Sequence, residues 1–527
     1  MKLLALLIAA GATLGAQVTV EDIRSDPERG EDWLSYHGGY EGWRHAALDE
    51  LTPETVGDLR LKWVFQARMD QKFETTPLIH DGVMYFTVPQ NDVYAVDAET
   101  GRGLWHYSRE LPPKLIACCG EINRGLAMHG DKLFMATLDA KVIALDRSTG
   151  RVLWETEMID YSQGYSGTHA PLVVKDKVIV GVAGAEYGIR GFIDAYDIAT
   201  GERAWRFYTV PGELEPGNDT WSGDSWKTGG GSVWITPSYD PEANLLYVGT
   251  GNPGPDWNGD VRLGDNLYTD SVVALNPDDG TLSWHFQFTP HDTHDWDAAQ
   301  VLVLVDREFR GEERKLLITA NRNGFYYVLD RLTGKYLHGR EFVKQTWASG
   351  LDDSGRPVLL EGKDPSEAGT KVYPMVAGGT NWMSPSYSPL TDLYYVTCRE
   401  GASMYYKGPA DDHQPGTRFW GSMFMNEETN HEWYGAVRAL DPETGRLVWE
   451  HKLFQPAWAG LLSTAGGLVF AGAQDGWFKA LDAKSGEEKW RIQLGGPILA
   501  SPVSYESRGR QHVAIAAGQG LFVFALP

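Results

Sequence analysis

Three loops of the sequence carry oxygen-bearing side chains in a pattern that suits cation binding. Glu186 follows the predicted strand KVIVGVAG, Asn252 follows LLYVGTG, and the loop TPHDTHDWDAAQ holds Asp292, Asp295 and Asp297 beside two histidines. Carboxylate and amide oxygens are hard ligands, which suit Ca²⁺ or a similar large cation better than Zn²⁺. Taken singly, each residue has a commoner role as a turn cap or a solvated loop residue. A zinc site on the two histidines is the weaker alternative.

The three cysteines offer a different chemistry. Cys118 and Cys119 are adjacent, and a disulfide between neighbours is a strained ring that cannot join distant segments. From the residues alone, two reduced thiols are the favoured interpretation. Cys398 lies in the predicted strand YYVTC and is expected to be a buried free thiol. The sequence has no C-x-x-C-H motif, so it carries no covalently attached c-type haem.

A repeated pattern indicates which scaffold positions these residues. A variant of A-x-D-x-x-T-G-x-x-x-W occurs seven times, starting at Ala95, Ala144, Ala195, Ala274, Val328, Ala439 and Ala480. Each copy predicts a strand, a turn that begins with Asp and has Gly where φ is positive, and a second strand ending in Trp. One copy cannot bury its Trp, but a neighbouring copy can cover it. Such repetition, with a period of about 50 residues, is typical of circular or stacked arrays.

Eight apolar hairpins accompany these signatures. We therefore predict an all-β fold, namely an eight-bladed β-propeller with tryptophan-docking repeats and a central channel. The eighth unit ends in GLFVFALP without a turn or a Trp, and the segment from Leu59 to Ala67 is expected to supply its outer strand and close the ring. No linker divides the chain, so residues 17–527 are predicted to form one domain.

The N-terminus and the charge bear on location and partners. Residues 1–16, MKLLALLIAAGATLGA, have one Lys, a short apolar core and small residues, which predicts a secretory signal peptide. No other stretch approaches the length of a membrane span. The net charge of −24 argues against nucleic acid and anionic membranes as partners. It indicates a soluble acidic surface, and it would favour a basic protein partner.

Seven pieces of the sequence match one enzyme family in the same order: ACCGEINRGLA, GAEYGIRG, GGGSVW, VGTGNP, PHDTHDWD, NRNGFYYVLDR and TNWMSPSYSP. The chain resembles the pyrroloquinoline quinone (PQQ)-dependent alcohol dehydrogenases, eight-bladed quinoproteins of the bacterial periplasm, over nearly its whole length. The resemblance implies oxidation of a small-molecule alcohol to an aldehyde or ketone. It implies a soluble cytochrome c or a similar protein as electron acceptor, and a homodimer is a possible assembly.

The resemblance also implies a cofactor pocket. The PQQ ring system would lie between the Trp234 indole and a vicinal Cys118–Cys119 disulfide. A further group would hold the carboxylates and carbonyls of PQQ: Glu74, Arg124, Thr168, Ser232 and Asn381. An arginine suits such a carboxylate because its planar fork binds it through two hydrogen bonds. Trp382 and Trp458 are expected to add to the wall of the pocket, although ordinary packing within the fold explains them about as well.

The metal and the catalytic groups are implied in the same way. Glu186 and Asn252 would bind a cation that acts as a Lewis acid on the quinone. Asp295 would be the general base, and Arg322 would stabilise charge on the quinone oxygen. Asp297 stands where an acid accompanies lanthanide binding in relatives of methanol dehydrogenase. Related glucose dehydrogenases have an acid there too and use divalent metals, so calcium and lanthanide remain open.

Three positions depart from the better-known members of the family. His294 and Trp296, on either side of the predicted base, replace a common Trp and Tyr, and Ala183 replaces a Ser. The first two are expected to reshape the substrate side of the pocket, which favours a larger or more varied alcohol than methanol or ethanol. Two alternatives remain: a cofactor-free scaffold propeller similar to an outer-membrane-assembly protein, and a related enzyme that has lost its activity.

Overall fold

The computed structural model describes residues 17–67, 72–409, 412–427 and 432–527. The one α-helix in these ranges, Val20–Arg29, begins at a capping box in which Thr19 and Asp22 exchange hydrogen bonds. It ends at Gly30, whose φ of 69° is a conformation that glycine adopts without strain. None of the helices in these ranges is long and apolar enough to cross a membrane. The predicted signal peptide, residues 1–16, lies outside the described residues.

Eight antiparallel sheets contain most of the strands, and we number them 1 to 8 in chain order. Sheet 1 consists of Leu78–His80, Val83–Val88, Asp92–Asp97 and Gly103–Tyr107, and sheet 2 of Ala127–His129, Lys132–Ala136, Lys141–Asp146 and Val152–Glu157. Sheet 3 consists of Leu172–Val174, Lys177–Gly181, Phe192–Asp197 and Arg203–Tyr208, and sheet 4 of Ser238–Asp240, Leu245–Gly249, Ser271–Leu275 and Leu282–Gln287.

The remaining sheets follow the same pattern. Sheet 5 consists of Val303–Phe309, Glu312–Ala320, Phe325–Asp330 and Tyr336–Glu341, and sheet 6 of Ser386–Ser388, Leu393–Glu400, Tyr434–Leu440 and Leu447–Leu453. Sheet 7 consists of Leu461–Thr464, Leu468–Gly472, Trp477–Asp482 and Glu488–Gln493, with His45–Ala46 as a fifth, parallel strand. Sheet 8 consists of Val503–Ser507, Arg510–Ala517, Gly520–Ala525 and Arg60–Gln66.

Two small sheets and seven short 3₁₀ helices lie in the connections. One sheet pairs Ala348–Leu351 with Pro357–Leu359, and the other joins Thr370–Val372, Ser403–Lys407 and Ser422–Asn426. The 3₁₀ helices are Val56–Asp58, Pro89–Asn91, Tyr161–Gln163, Ala185–Tyr187, Asn218–Thr220, Ser225–Thr228 and Gly259–Val261. The all-β architecture predicted from the repeats is therefore confirmed.

Sheet 8 is built from both ends of the chain. Arg60–Gln66 pairs antiparallel with Gly520–Ala525, so the segment near the N-terminus supplies the fourth strand that the C-terminal unit lacks. The sequence predicted this pairing because the last hairpin has no Trp-bearing strand of its own. The remaining sheets take their four strands from consecutive segments, with two exceptions: sheet 7 has an extra strand, and two strands of the small three-stranded sheet intervene between the second and third strands of sheet 6.

The signature tryptophans lie on the fourth strands and reach the next sheet. Five of these indole N–H groups, and that of Trp63 on the fourth strand of sheet 8, donate to a backbone carbonyl of the following turn: Trp63 to Ala98, Trp105 to Arg147, Trp154 to Ile198, Trp205 to Pro277, Trp284 to Arg331 and Trp449 to Ala483. The signature glycine of that turn packs on the indole. At Gly280, for example, an added Cβ would lie 2.6 Å from the Trp205 ring. His338 stands in place of a Trp and contacts the Thr444 carbonyl at 3.0 Å.

A segment that no repeat predicts, residues 31–46, runs along the first strands of the sheets. It forms backbone hydrogen bonds with Ile79 of sheet 1, Tyr239 of sheet 4, Leu304 of sheet 5, Tyr387 of sheet 6 and Ser463 of sheet 7. Two side chains extend the series, since Tyr40 donates to the Val173 carbonyl in sheet 3 and Arg44 to the Pro502 carbonyl beside sheet 8. The segment therefore ties the first strands together from inside the fold.

Candidate active site

A cavity of about 770 Å³ opens at one end of the sheets. All the predicted site residues except Asn252 line it: Glu74, Cys118, Cys119, Arg124, Thr168, Glu186, Ser232, Trp234, Asp295, Asp297, Arg322, Asn381, Trp382 and Trp458. They lie either just before the first strand of a sheet or between its second and third strands. In an antiparallel sheet these two connections fall at the same end, which explains the convergence.

One end of the cavity is built around an ion pair. Arg124 Nη2 lies 2.9 Å from Glu74 Oε2, and both side chains are buried. Burial raises the pKa of the Glu74 carboxyl, and the Arg124 charge opposes that rise. The Arg124 guanidinium also lies 5.2 Å from the centroid of the Trp234 ring and 4.8 Å from that of Trp382. Two indoles and a cation therefore converge at this end, with Thr168 Oγ1 3.4 Å from Arg124 Nη1.

Another part of the cavity holds the predicted base and its arginine. Arg322 Nη2 lies 3.3 Å from Asp295 Oδ2, and Arg322 Nη1 pairs closely with Asp297. Burial raises the pKa of Asp295 well above its usual range, and the Asp297 charge adds to this effect while Arg322 opposes it. Asp295 has a φ of 62°, a left-handed conformation that is uncommon for non-glycine residues and that aspartate adopts more readily than most. The contact with Arg322 fixes the position of its carboxyl group.

Asn252 lies beneath the cavity rather than in its lining. Its backbone N–H donates to Asp297 Oδ1 at 2.9 Å, and its side-chain amide donates to Asp256 Oδ1 at 3.0 Å. The Asp297 Oδ1 atom also accepts a weaker bond from the Trp234 indole at 3.4 Å. Asn252 therefore helps to position both Asp297 and Asp256.

The sequence analysis did not identify Asp256 as a site residue. Burial raises its pKa well above the usual range, and the Glu186 charge adds to the rise. Asp256 belongs to the same loop as Asn252, GNPGPDWN, so the motif contained the signal. Glu186, Asn252, Asp256 and Asp297 together form an oxygen-rich floor.

The two adjacent cysteines are free thiols, so the structure does not show the disulfide that the resemblance implies. A hydrogen bond with the Cys119 thiol raises the pKa of Cys118 well above its usual range, and the nearby Glu186 charge adds to the rise. The same hydrogen bond lowers the pKa of Cys119. Both sulfur atoms lie within 4.8 Å of a Glu186 oxygen and of each other. In the described ranges, no other three His, Cys, Asp or Glu side chains are grouped this closely.

The predicted metal ligands therefore surround one region but are not gathered into a closed ligand shell. Arg322 lies between Asp295 and Asp297 and neutralises part of their charge. The donor set, carboxylates plus one amide, still suits a hard cation with many oxygen ligands.

A strap over the Glu186 loop is a second feature that the sequence did not predict. We define the strap as residues 412–421, which lie between two strands of the small three-stranded sheet. The Phe419 N–H donates to the Glu186 carbonyl at 2.7 Å, and His413 Nε2 lies 2.9 Å from the Tyr187 carbonyl. At the far end of the strap, the Trp257 N–H donates to the Trp420 carbonyl at 2.9 Å. The strap thus holds the loops of Glu186 and Asn252 together.

The expectation that His294 and Trp296 reshape the substrate side is wrong, because neither lines the cavity. The two rings stack on each other at 4.4 Å behind the cavity wall. Asp292 turns them away, since its oxygens accept the backbone N–H groups of His294 and Trp296. His294 Nε2 contacts the Lys363 carbonyl at 3.0 Å, which disfavours the alternative zinc site. Ala183, by contrast, does line the cavity.

The chemistry of the lining fits a flat, polar ligand with carboxylates. Several buried polar atoms around the cavity have no hydrogen-bond partner, among them the Nε atoms of Arg124, Arg322 and Arg399 and Oε1 of Gln474. Buried polar atoms are normally satisfied, so their presence indicates that a ligand supplies the partners. Aromatic faces at Trp234 and Trp382 add the apolar surface that a planar ring needs.

Comparisons with known proteins agree with this geometry. The family model for PQQ proteins described as "Glucose/ethanol/alcohol dehydrogenase, beta-propeller domain" matches residues 33–344. A second model, "Outer membrane protein assembly factor BamB", matches residues 434–523, which lie in the region of sheets 6 to 8. The BamB match is confined to this repeat region, whereas the PQQ match includes the loops from Glu74 to Arg322.

Individual relatives cover almost the whole chain. The quinoprotein alcohol dehydrogenase PedH of Pseudomonas putida is 42% identical over 98% of this chain and 91% of its own length. The lanthanide-dependent methanol dehydrogenase of Methylacidiphilum fumariolicum is 36% identical over 98% of this chain and 90% of its own. A europium-containing methanol dehydrogenase structure has a TM-score of 0.91 at 33% identity and covers 96% of this chain and 100% of that one. The chain therefore belongs to the PQQ-dependent alcohol dehydrogenases, β-propeller oxidoreductases that use PQQ together with calcium or a lanthanide ion.

Proposed function

We propose that this protein is a periplasmic PQQ-dependent dehydrogenase that oxidises an alcohol to an aldehyde or ketone. The observation that carries the proposal is the convergence of residues from nine separate loops on one cavity, which contains two acid–arginine pairs. When bound, PQQ would supply the hydride acceptor of the reaction, and the metal ion beside it would supply the Lewis acid. The side chains supply binding, orientation and proton transfer.

Asp295 accepts the proton of the substrate hydroxyl. A general base must be close to the reacting proton and must have a pKa raised towards the working pH. Burial raises the pKa of Asp295, and the Arg322 contact at 3.3 Å favours the ionised form. Arg322 in turn is fixed by the Val376 carbonyl at 2.8 Å, so the pair keeps its orientation when substrate enters.

The part of the cavity around Glu74 and Arg124 binds the cofactor. Glu74, Arg124, Thr168, Ser232 and Asn381 offer hydrogen bonds to carboxylates and carbonyls. The Trp234 indole and the cysteine pair provide two surfaces for a planar ring. Oxidation of Cys118 and Cys119 to a disulfide, in an oxidising compartment, would make the second surface rigid. Trp382 and Trp458 complete the aromatic lining.

Glu186, Asn252, Asp295 and Asp297 are the residues that would hold the metal ion. We favour a lanthanide, because a trivalent ion gains more than a divalent one from the additional carboxylate of Asp297. Two of the similar proteins, the lanthanide-dependent and the europium-containing methanol dehydrogenases, bear such an ion in their names.

The wider organisation follows from the same proposal. The eight sheets are the eight blades of one ring formed by residues 17–527, with tryptophans docking each blade on the next. Sheet 8 closes that ring with a strand from each end of the chain. Residues 1–16 act as a signal peptide, and electrons pass to a soluble cytochrome c or a similar carrier. A homodimer is a possible assembly.

Reconstitution tests the function directly. Purified apoprotein is mixed with PQQ and with either Ca²⁺ or La³⁺, and alcohol oxidation is followed with an artificial electron acceptor. We expect turnover of at least one alcohol only when both PQQ and a metal ion are present. Asp219→Asn, an exposed substitution, is the matched control for acidic variants of the cavity. Failure to bind PQQ, or turnover without it, would contradict the proposal.

A further inference from the structure

Arg399 is a buried cation that the proposed function does not use. Four acids line the cavity, and each of the other buried arginines there has one: Arg124 pairs with Glu74, and Arg322 with Asp295 and Asp297. Lys72 also lines the cavity, but its side chain is exposed and can be hydrated. Among the described residues, Arg399 has no carboxylate within ion-pair distance, although only 4% of its surface is exposed.

The protein satisfies the Arg399 guanidinium only in part. Nη1 donates to the Ala457 carbonyl at 2.8 Å, Nη2 lies 3.9 Å from the Met375 sulfur, and Nε has no hydrogen-bond partner. One face stacks on the Trp458 ring, 3.8 Å from its centroid. Burial, together with the nearby Arg322 charge, lowers the pKa of Arg399 to about 9, so it remains a cation at neutral pH.

The neighbouring acid does not serve Arg399. Glu400 points to the other side of the strand and pairs with Arg438 at 2.8 Å. An unpaired buried charge is costly, and cavities keep one when a ligand supplies the opposite charge. A guanidinium stacked on an indole, with N–H groups free, is well suited to a carboxylate because it offers a planar pair of donors.

Arg399 lies near Arg322, the arginine that contacts the proposed base. The Gly379 N–H donates to the Arg322 carbonyl at 2.9 Å, and the Arg399 N–H donates to the Gly379 carbonyl at 2.8 Å. The two arginines are therefore linked through one residue, and Arg322 contacts the proposed base Asp295. The Glu74–Arg124 pair belongs to the proposed cofactor region.

We propose that Arg399 binds the carboxylate of an anionic alcohol, so that hydroxycarboxylic acids are a substrate class of this enzyme. The inference rests on the proposed function, in which Asp295 deprotonates the hydroxyl of the same molecule. Apolar lining at Val376 and Phe424 is available for the carbon skeleton between the two groups. Arg399 is thus a specificity-determining residue and does not take part in proton transfer.

The test compares substrates that differ only in charge. The PQQ- and metal-loaded enzyme is assayed with para-(hydroxymethyl)benzoate and its methyl ester, and with an aliphatic hydroxy acid and its methyl ester. We expect Arg399→Gln to raise KM for the acids about 10- to 100-fold while changing KM for the esters little, because one charge-assisted contact is lost. Arg399→Lys should restore part of the difference. Arg356→Gln, at an exposed ion pair, is the control.

Binding provides a readout that does not depend on turnover. Each acid and its ester are titrated into the PQQ-loaded protein by calorimetry, and PQQ affinity of each variant is measured by quenching of tryptophan fluorescence. Selective loss of acid binding in Arg399→Gln, with unchanged PQQ affinity, supports the inference. Weakened PQQ affinity, with acids and esters affected alike, assigns Arg399 to a cofactor carboxylate and overturns it. Equal KM values for acid and ester in every variant also overturn it.

The two proposals fail in different ways. If the wild-type enzyme oxidises neither acids nor esters, the proposed function fails. The calorimetric comparison of wild-type and Arg399→Gln still decides the role of Arg399 in that case. If the esters are oxidised but the acids neither bind nor react, the dehydrogenase function stands and the hydroxy acid inference falls.

Discussion

Trp205 and Trp234 are both largely shielded indoles, and each forms one hydrogen bond, but they belong to opposite regions of the molecule. Trp205 lies on the outer strand of sheet 3 and donates to the Pro277 carbonyl in the next sheet at 2.9 Å. Trp234 lines the cavity and donates to a carboxylate, Asp297, at 3.4 Å. The hydrogen bond of Trp205 recurs between other neighbouring sheets, where an indole N–H again donates to a backbone carbonyl. The hydrogen bond of Trp234 occurs in one loop, among residues with no counterpart in other sheets.

The difference separates stability from chemistry. The outer contacts join one sheet to the next through a backbone carbonyl, which every residue has. The contact therefore tolerates side-chain substitutions in the turn and can recur between successive sheets. The cavity instead gathers charged side chains whose burial is unfavourable unless they are paired or bind a ligand. Substitutions in the two regions should therefore affect different measurements.

The largest effect is expected for the proposed base. Asp295→Asn keeps the size of the side chain but removes the proton acceptor, so kcat should fall about 10³- to 10⁴-fold. Thermal stability should change little, and PQQ absorbance of the loaded protein should remain. Retention of most of the turnover would show that another group accepts the proton.

At the outer edge, Trp205→Ala should act on stability alone. Removal of a large buried indole from a core is expected to cost about 3–5 kcal/mol in the free energy of unfolding. Denaturant unfolding measures this cost, and kcat of the remaining folded, loaded enzyme should equal that of the wild type. A fall in kcat without a fall in stability would remove the distinction between the two regions.

Asp297→Ala tests the cation preference at the cavity floor. Loss of one carboxylate should weaken La³⁺-supported activity about 10- to 100-fold and Ca²⁺-supported activity less, since the trivalent ion gains more from each negative charge. The measurement is the metal concentration that gives half-maximal activity of the PQQ-bound protein. Equal losses with both ions would remove the reason to favour a lanthanide.

Gly188→Ala tests the strap without touching a ligand. Gly188 has a φ of 62°, and an added Cβ would lie 2.6 Å from the His413 ring, so either the Glu186 loop or the strap must shift. We expect about a tenfold loss of metal affinity from strain of about 1 kcal/mol plus displacement of the loop. Gly82→Ala, at a similar φ in open space, controls for the backbone strain.

The smallest effect should come from His338→Ala. This side chain stands where a Trp recurs elsewhere, but it offers one hydrogen bond and less buried surface. The free energy of unfolding should fall by about 1 kcal/mol, well below the effect of Trp205→Ala. A loss as large as that of Trp205→Ala would show that the histidine is more important for the contact than its size suggests.

The repeated sequence motif explains which features were predictable from the sequence. The Asp-started turns and the Trp-bearing strands are local, so the sheets, and the fourth strand of sheet 8 from residues 60–66, were predicted. Motif order placed Glu74, Arg124 and Asp295 in one cavity, because antiparallel strands return each loop to the same end.

Features without a repeat or a motif were not predictable. The contacts of residues 31–46 with seven sheets, and the His413 contact with the Glu186 loop, depend on distant backbone positions. The orientation of His294 was misjudged, because the Asp292 hydrogen bonds that turn it away lie in tertiary structure. The sequence around Arg399 does not reveal that this residue has no carboxylate partner. Only the folded cavity shows which acids are already paired with other residues.

The pairing of Arg60–Gln66 with Gly520–Ala525 has a consequence for synthesis. A ribosome delivers the first of these strands when almost the entire remaining chain is still to be made, and its edge stays open until the second emerges. Contacts between such distant segments close slowly, and an open strand edge attracts other chains in the meantime. Premature release of the polypeptide should therefore produce aggregates rather than a smaller folded protein, so that the last strand serves as a check on completeness.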